Sequence, residues 1–416
     1  MNSERIRVAV IGAGISGLTV ALALARYGLR CHVFEQARLL SEVGAGVQLS
    51  PNSTRLLHRF GLRSRLRRTA VRPQAIEMRR WDDNSVLRRT PLGAACEQRF
   101  GAPYYTVHRA DLHQGLLEHV APGTLHLGLR CTGLQECRDG VHLQFADGSS
   151  TTADLVVGAD GIHSRVRDVL VRNEPTYSGH SVYRALIPAE RVPFLLTEPK
   201  VVLWLGPGQH CVSYPICGGT RISLAATVPD PGWGAESWSA RGTPEDLACA
   251  YADWAPEVRA LTTAPDVVSR WALHDRESLP RWSTGRITVI GDAAHPMLPF
   301  FAQGANQAVE DAITLAGCLR DAWCPRGIAD ALARYETVRA ARTGEVHRIS
   351  RANTTALHLP DGAAQRSRDT ALAAHATLED QEWIYGYDAE AAVTALGAGV
   401  AAGMGEDDGH HAQQHG

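Results

Sequence analysis

The sequence predicts an α/β (α+β) chain in which a parallel-sheet domain is interleaved with a second β-sheet domain and followed by C-terminal helices. Three observations predict it. Residues 6–35 read as strand, glycine-rich turn, helix and strand. Residues 176–275 change to short β-rich runs broken by Gly and Pro. Beyond residue 326 the apolar spacing is helical. At 416 residues the chain is long for one core, so two domains are expected. The expected division is a discontinuous nucleotide-binding domain over 1–175 and 276–350, which lends strands around 70–107 to its neighbour. The β-rich domain covers 176–275, a helical segment 351–400 and a disordered tail 401–416.

The first element, IRVAVI, is a short apolar run. GAGISG follows with Gly12, Gly14 and Gly17, then an Ala/Leu-rich helix closed by Gly28 and the strand CHVFE ending at Glu35. This is a Rossmann-like βαβ unit. Its glycines allow a tight turn and close approach of a pyrophosphate, and its acidic residue accepts hydrogen bonds from a ribose. Glu35 in place of a basic residue favours an unphosphorylated ribose, as in FAD or NAD. Residues 44–54, GAGVQLSPNST, make a turn, a short strand and a helix start at Pro51 and Asn52. The arginines of 63–89 (Arg67, Arg68, Arg79, Arg80, Arg88, Arg89) read first as a solvated face and second as a docking patch for a phosphorylated nicotinamide. Arg109 opens a helix, where it either grips a phosphate or pairs with Asp111. Residues 124–157 look like a β-meander with a hairpin at Asp147-Gly148. Asp160 and Gly161 then start a second acidic turn into a helix.

Ile287–Leu319 repeats the theme. A short strand ends at Gly291-Asp292, and a helix begins at Gly304 with Val309, Ile313, Ala316 and Leu319 on one face. A glycine-headed helix start offers free N–H groups and a positive dipole end to an anion. Met297, Pro299, Phe300, Phe301 and Gln303 between them suit an aromatic ligand.

Composition bounds the partners. A formal net charge of −2 and a pI of about 6.8 give no basic field for nucleic acid or anionic membrane. No apolar run reaches membrane-span length and the N-terminus lacks signal-peptide character. Nine cysteines without a C-x-x-C pair fit a reduced, cytoplasmic protein. No metal site is expected; His410, His411 and His415 in the tail carry no assigned role.

GAGISG with Glu35, GADG at 158–161 followed by HSRVR, GDAAHPM at 291–297 and HRADL at 108–112 together resemble the single-component FAD-dependent aromatic monooxygenases, the para-hydroxybenzoate hydroxylase class. GAGVQLSPN, the His210-x-x-x-Tyr214 spacing, AQGANQAVEDA and WIYGYD are most similar to salicylate hydroxylase, 3-hydroxybenzoate 6-hydroxylase and 6-hydroxynicotinate 3-monooxygenase. The resemblance implies FAD, with NADH or NADPH and O2 as co-substrates, a small aromatic substrate, and a monomer or homodimer. It implies that Gly12, Gly14, Ser16, Gly17, Glu35 and Gln36 hold the ADP half and that Arg109 contacts the flavin side chain. Cys131 lies by the adenine, and Asp160-Gly161 serves both FAD and NAD(P)H. Asp292 bonds the ribityl chain, and Val47, Gln48, Gly304, Ala305 and Asn306 lie near the flavin ring. Gln48 departs from the His of the 6-hydroxynicotinate enzymes and argues against a pyridine.

The class oxidises phenols with a flavin C4a-hydroperoxide, so a base near the phenol is required. His210 and Tyr214, four apart, face the same side of an ideal strand. His210 is expected to take the phenol proton, Tyr214 to relay or orient it, and Gln303 to make a third polar contact. An isoprenoid or polyketide epoxidase, or a non-hydroxylating flavin- or NAD-binding protein, is the alternative.

Overall fold

The computed structural model describes residues 6–40, 45–232, 241–322 and 324–395. The expected tail, with its three histidines, lies outside them. The first layer is a five-stranded, all-parallel sheet ordered Ile287–Val289, Leu155–Gly158, Val8–Ile11, Cys31–Glu35, Leu125–Leu127. Val8–Ile11 and Leu155–Gly158 are buried throughout, as continuous apolar strands covered on both faces should be. Gly12 ends the first strand at φ +101°, and a Cβ there would lie 2.4 Å from the Ala159 carbonyl oxygen. The helix Ile15–Arg26 therefore starts tight against the sheet, and it packs against the helix Gly304–Leu319.

The expected meander over 124–157 is corrected. Only Cys131–Cys137, Gly140–Phe145 and Ser150–Ala153 form it. Leu125–Leu127 instead pairs with the open edge of Cys31–Glu35, which satisfies backbone groups that an edge strand leaves free. Leu155–Gly158 has no polar alternation and goes to the buried centre of the parallel sheet.

The second layer is an eight-stranded sheet. Its order is Arg241–Gly242, Val268–Asp275, Thr176–Pro188, Arg221–Pro229, Gln209–Ile216, Lys200–Gly206, Ala75–Arg80, Val86–Pro91. The last two strands come from the N-terminal half of the chain and join through a parallel pair. Glu77 on that pair is buried beneath Arg79, Arg89 and Lys200, and Arg80 pairs with Asp82 and Asp361. Much of the arginine-rich stretch is thus a surface of ion pairs. A two-stranded ribbon, Gly46–Leu49 with Tyr105–His108, joins the layers: Thr106 Oγ1 donates to the Pro215 carbonyl (2.5 Å) and Gly46 N–H to Ser223 Oγ (3.2 Å).

The long helix Pro325–Ala356 packs on Gly304–Leu319. Between them Arg339, Glu310 and Asp311 are fully buried. Arg339 Nε donates to Asp311 Oδ1 (2.8 Å) and its Nη1 to Glu310 Oε2 (2.6 Å). Asp311 Oδ2 accepts from the Gly291 N–H (2.9 Å) and faces His295 Nε2 (2.6 Å). This pins the Gly291-Asp292 turn to the helix behind it.

Candidate active site

A cavity of about 1220 Å³ runs between the two layers. One end is walled by Gly12, Gly14, Glu35, Gln36, Arg130 and Cys131. The middle is walled by Arg109, Asp160, Gly161, Asp292, Val47 and Gln48. The far end is walled by His210, Tyr214, Arg184, Met297, Phe300 and Gln303, with Gly304 and Ala305 at the start of their helix. Two helix N-termini, at Gly14 and Gly304, therefore face one elongated space, the arrangement that binds a pyrophosphate and a polar ring edge. Of the residues expected at the site, Ser16, Gly17 and Asn306 do not line it. A Cβ on Gly17 would fall 1.9 Å from the Gly12 carbonyl oxygen, so this glycine packs the helix. Asn306 is fully buried: its Oδ1 accepts from Ser50 N–H (2.9 Å) and its Nδ2 donates to the Gln48 carbonyl (3.0 Å). It fixes the Gln48 strand.

Other expected roles are reshaped by partners already present. Both Glu35 oxygens accept backbone N–H groups, from Ala13 and Ala37 (2.8 Å each), which leaves each one remaining lone pair. Asp160 caps the helix Arg165–Leu170, accepting from Ser164 Oγ (2.5 Å) and Arg165 N–H (2.7 Å). Burial pushes its carboxyl up, and these bonds oppose that. Gln303 was expected to touch substrate, but its Nε2 donates to Ser50 Oγ (3.0 Å) and its Oε1 accepts from Asn52 Nδ2 (3.3 Å). Gln303 lines the cavity while its side chain holds the start of the helix Pro51–Arg59. Asp292 is exposed on the cavity.

The substrate-end wall is one face of the large sheet. Register aligns Val182, Thr227 and His210 in one row and Arg184, Ala225 and Val212 in the next. Ser223 and Tyr214 make the third. Val212 separates His210 from Tyr214 on a regular strand, so the two side chains share a face as their spacing predicts. Tyr214 reaches the side chains of Ser223 and Gln48; burial raises its hydroxyl and Arg184 opposes that. Gln48 Oε1 also accepts from Tyr104 Oη (2.8 Å). His210 is 4% exposed. Its Nδ1 lies 2.7 Å from His358 Nε2 and 3.0 Å from Thr227 Oγ1. Burial first, then His358 and His180, hold it well below the usual histidine value.

Arg184 and His358 escaped the sequence reading. Arg184 lies over the Trp271 ring, 4.8 Å from its centroid, its Nε is buried without a partner, and no carboxylate pairs with it among the described residues. Burial lowers its basicity, but a guanidinium stays charged. The one available signal was a lone Arg inside the apolar strand SVYRALIP. Nothing local signalled His358, 148 positions from its partner.

Comparison with known proteins fits this geometry. A 3-amino-4-hydroxybenzoate 2-monooxygenase of Streptomyces platensis is 50% identical over 389 residues, covering 94% of this chain and 98% of that protein. A 6-hydroxynicotinate 3-monooxygenase of Pseudomonas fluorescens is 34% identical, covering 93% and 96%. A salicylate hydroxylase in complex with its substrate superposes with a TM-score of 0.81 at 28% identity, covering 94% of this chain and 98% of that one. A family model described as an FAD binding domain matches residues 5–350, and this chain belongs to that family as an FAD-dependent aromatic-ring monooxygenase.

Proposed function

We propose that this chain hydroxylates a benzoate bearing an electron-releasing hydroxyl or amino group, with 3-amino-4-hydroxybenzoate as the lead substrate. The overall reaction balances as Ar–H, O2, NAD(P)H and H⁺ giving Ar–OH, H2O and NAD(P)⁺. The observation that carries the reading is the far wall, where a half-buried guanidinium without a carboxylate partner among the described residues, a neutral imidazole and a phenol share one sheet face. Arg184 takes the substrate carboxylate, a bidentate partner for a half-buried guanidinium that faces the cavity. Arg184 and His210 stand two strands apart, roughly 10 Å across the sheet, which leaves room for one benzoate ring between them. The identity to the Streptomyces platensis enzyme supports the amino substituent, and Gln48 argues against a pyridine.

FAD, once reduced and met by O2, supplies the electrophilic oxygen. Gly12, Gly14, Glu35 and Gln36 hold its ADP half. Arg109, Cys131, Asp160, Gly161 and Asp292 follow along the cavity, and Val47, Gln48, Gly304 and Ala305 meet the ring. Met297, Pro299 and Phe300 exclude water. His210 Nε2, which has no hydrogen bond within the described residues, takes the proton of the ring substituent that feeds the attacked carbon. For attack ortho or para to a phenol that is the O–H. For C2 of 3-amino-4-hydroxybenzoate, which is ortho to the amine and meta to the hydroxyl, it is an N–H as nitrogen donates its pair. Tyr214, kept protonated, donates a hydrogen bond to the substrate. The nine cysteines, all unpaired, suit a reducing cytoplasm.

The test is NAD(P)H consumption with product identification on 3-amino-4-hydroxybenzoate, 4-hydroxybenzoate, 3-hydroxybenzoate, salicylate and 6-hydroxynicotinate. A benzoate should stimulate consumption and be converted, and Arg184→Gln should raise its KM while FAD content stays whole. Stimulation by none of the benzoates, or an unchanged KM in Arg184→Gln, sinks the reading.

A further inference from the structure

We propose that His358 is a proton relay behind His210, carrying the substrate's proton out through the cavity wall toward His180. The proposal rests on His210 being the base.

Three imidazoles form a row that begins in the cavity and leaves it. The His210 and His358 rings are 4.9 Å apart, and the His358 and His180 rings 4.5 Å apart, at interplanar angles of 26° and 29°. Phe300 packs edge-on against both His210 (5.2 Å) and His358 (5.5 Å), which fixes the first two rings. His358 follows the helix Pro325–Ala356, and its carbonyl accepts from the Gly208 N–H (3.0 Å), which ties it to the turn before the His210 strand. His210 lines the cavity whereas His358 and His180 do not. His180 is half-buried and its Nδ1 donates to the Ser178 carbonyl (3.2 Å).

The 2.7 Å approach of His210 Nδ1 to His358 Nε2 requires one proton between them. A base must present a bare Nε2 to substrate. That places the shared proton on His210 Nδ1, with His358 accepting at Nε2 and carrying its own proton on Nδ1, a buried nitrogen with no hydrogen-bond partner among the described residues. When the substrate's X–H bond breaks and its proton bonds to His210 Nε2, the Nδ1–H proton passes to His358 Nε2. The Nδ1–H proton of His358 then leaves on the His180 side, to that ring or to water. Both rings end neutral with protons on opposite nitrogens, and reverse transfer to the product resets them. Thr227 Oγ1, 3.0 Å from His210 Nδ1 and 3.4 Å from His358 Nε2, holds the pair in register.

The surroundings explain why a relay is needed. Among the described residues the titratable group whose charge bears on the pair is His180, and no carboxylate stabilises an imidazolium there. Burial, then His180, push His358 down to about 3. A proton left on either ring is expelled, so His210 works as a base only by passing it on.

The experiment mixes FAD-loaded enzyme with 4-hydroxybenzoate, whose proton to be lost is the phenol's, in weak buffer. It follows phenolate absorbance and proton release to a dye by stopped flow. Wild type should show both together. His358→Ala should slow both by on the order of 10²-fold, the lower end of what a lost general base costs, and free imidazole should restore them. His358→Gln, which fills the space but cannot take up and pass on a proton, should be slow and refractory to imidazole; it serves as the test should His358→Ala lose FAD. Wild-type rates in either variant, or slowing that imidazole leaves unchanged in a His358→Ala protein that holds FAD, overturn the relay. Absence of ligand ionisation in wild type overturns instead the reading of His210 as base.

Discussion

Two buried clusters of titratable side chains flank the cavity, and they are built on opposite principles. Behind the flavin-side turn, Glu310 and Asp311 are matched by Arg339 and Arg342. Burial alone pushes Asp311 up, but His295 and Arg339 pull it down to about 2, and Glu310 is likewise lowered. Its charges are permanent. Behind the substrate wall, His210, His358 and His180 have no carboxylate partner among the described residues, and burial holds the first two neutral. A compensated cluster keeps its charge and fixes geometry; an uncompensated one cannot keep a proton and is fit only to pass it.

Breaking the compensated cluster has the largest expected effect. Arg339→Met leaves Glu310 to Arg342 and Asp311 to His295, and removing one partner of a buried ion pair costs about 3–5 kcal/mol. Chemical denaturation should show that loss, and the turn carrying Asp292 should release FAD. A variant with wild-type stability and full flavin would show that the charges do not set the turn.

Breaking the uncompensated cluster should spare the fold and strike the chemistry. His210→Ala is expected to keep FAD and substrate-stimulated NAD(P)H oxidation while product formation falls by roughly 10²- to 10⁴-fold, with hydrogen peroxide rising in its place. Raised pH should restore part of the product with a phenolic substrate, because bulk ionisation replaces the base. Loss of flavin from this variant would return His210 to a packing role.

Acid sharpens the contrast. His210 and His358 titrate lower in the folded chain than in the unfolded one. The unfolded state therefore binds more protons below about pH 6.5, and stability is lost as pH falls from there toward 3. Each contributes a slope of about 1.4 kcal/mol per pH unit. Asp311 is depressed too, but as an acid its contribution is present above about pH 4 and lost only as pH falls toward 2. Urea denaturation between pH 7 and 5 should thus report the histidines, and His358→Gln should flatten the curve by about one such slope. An unchanged slope would mean His358 is not held neutral.

The smallest effect is Tyr214→Phe, which keeps the ring packed against Gly46 and removes one hydrogen bond worth about 0.5–1.5 kcal/mol. Product per NAD(P)H should fall up to about tenfold, with FAD content unchanged.

The sequence by itself determined what a single strand-turn-helix can build. Gly12, Gly14, Glu35, Asp292 and Gly304 lie on two such units, because a helix start and its turn make an anion site from consecutive backbone. The pair His210 and Tyr214 was legible for the same reason: a strand's period of two is local. Gln303 and Asn306 were near the site in sequence yet turned to Ser50 and Gln48, partners over 250 positions away. Arg184 reached the wall through strand register, and His358 reached His210 across 148 residues. Only the packed structure decided these, because pairing between distant segments is chosen by burial and register, which no local pattern encodes.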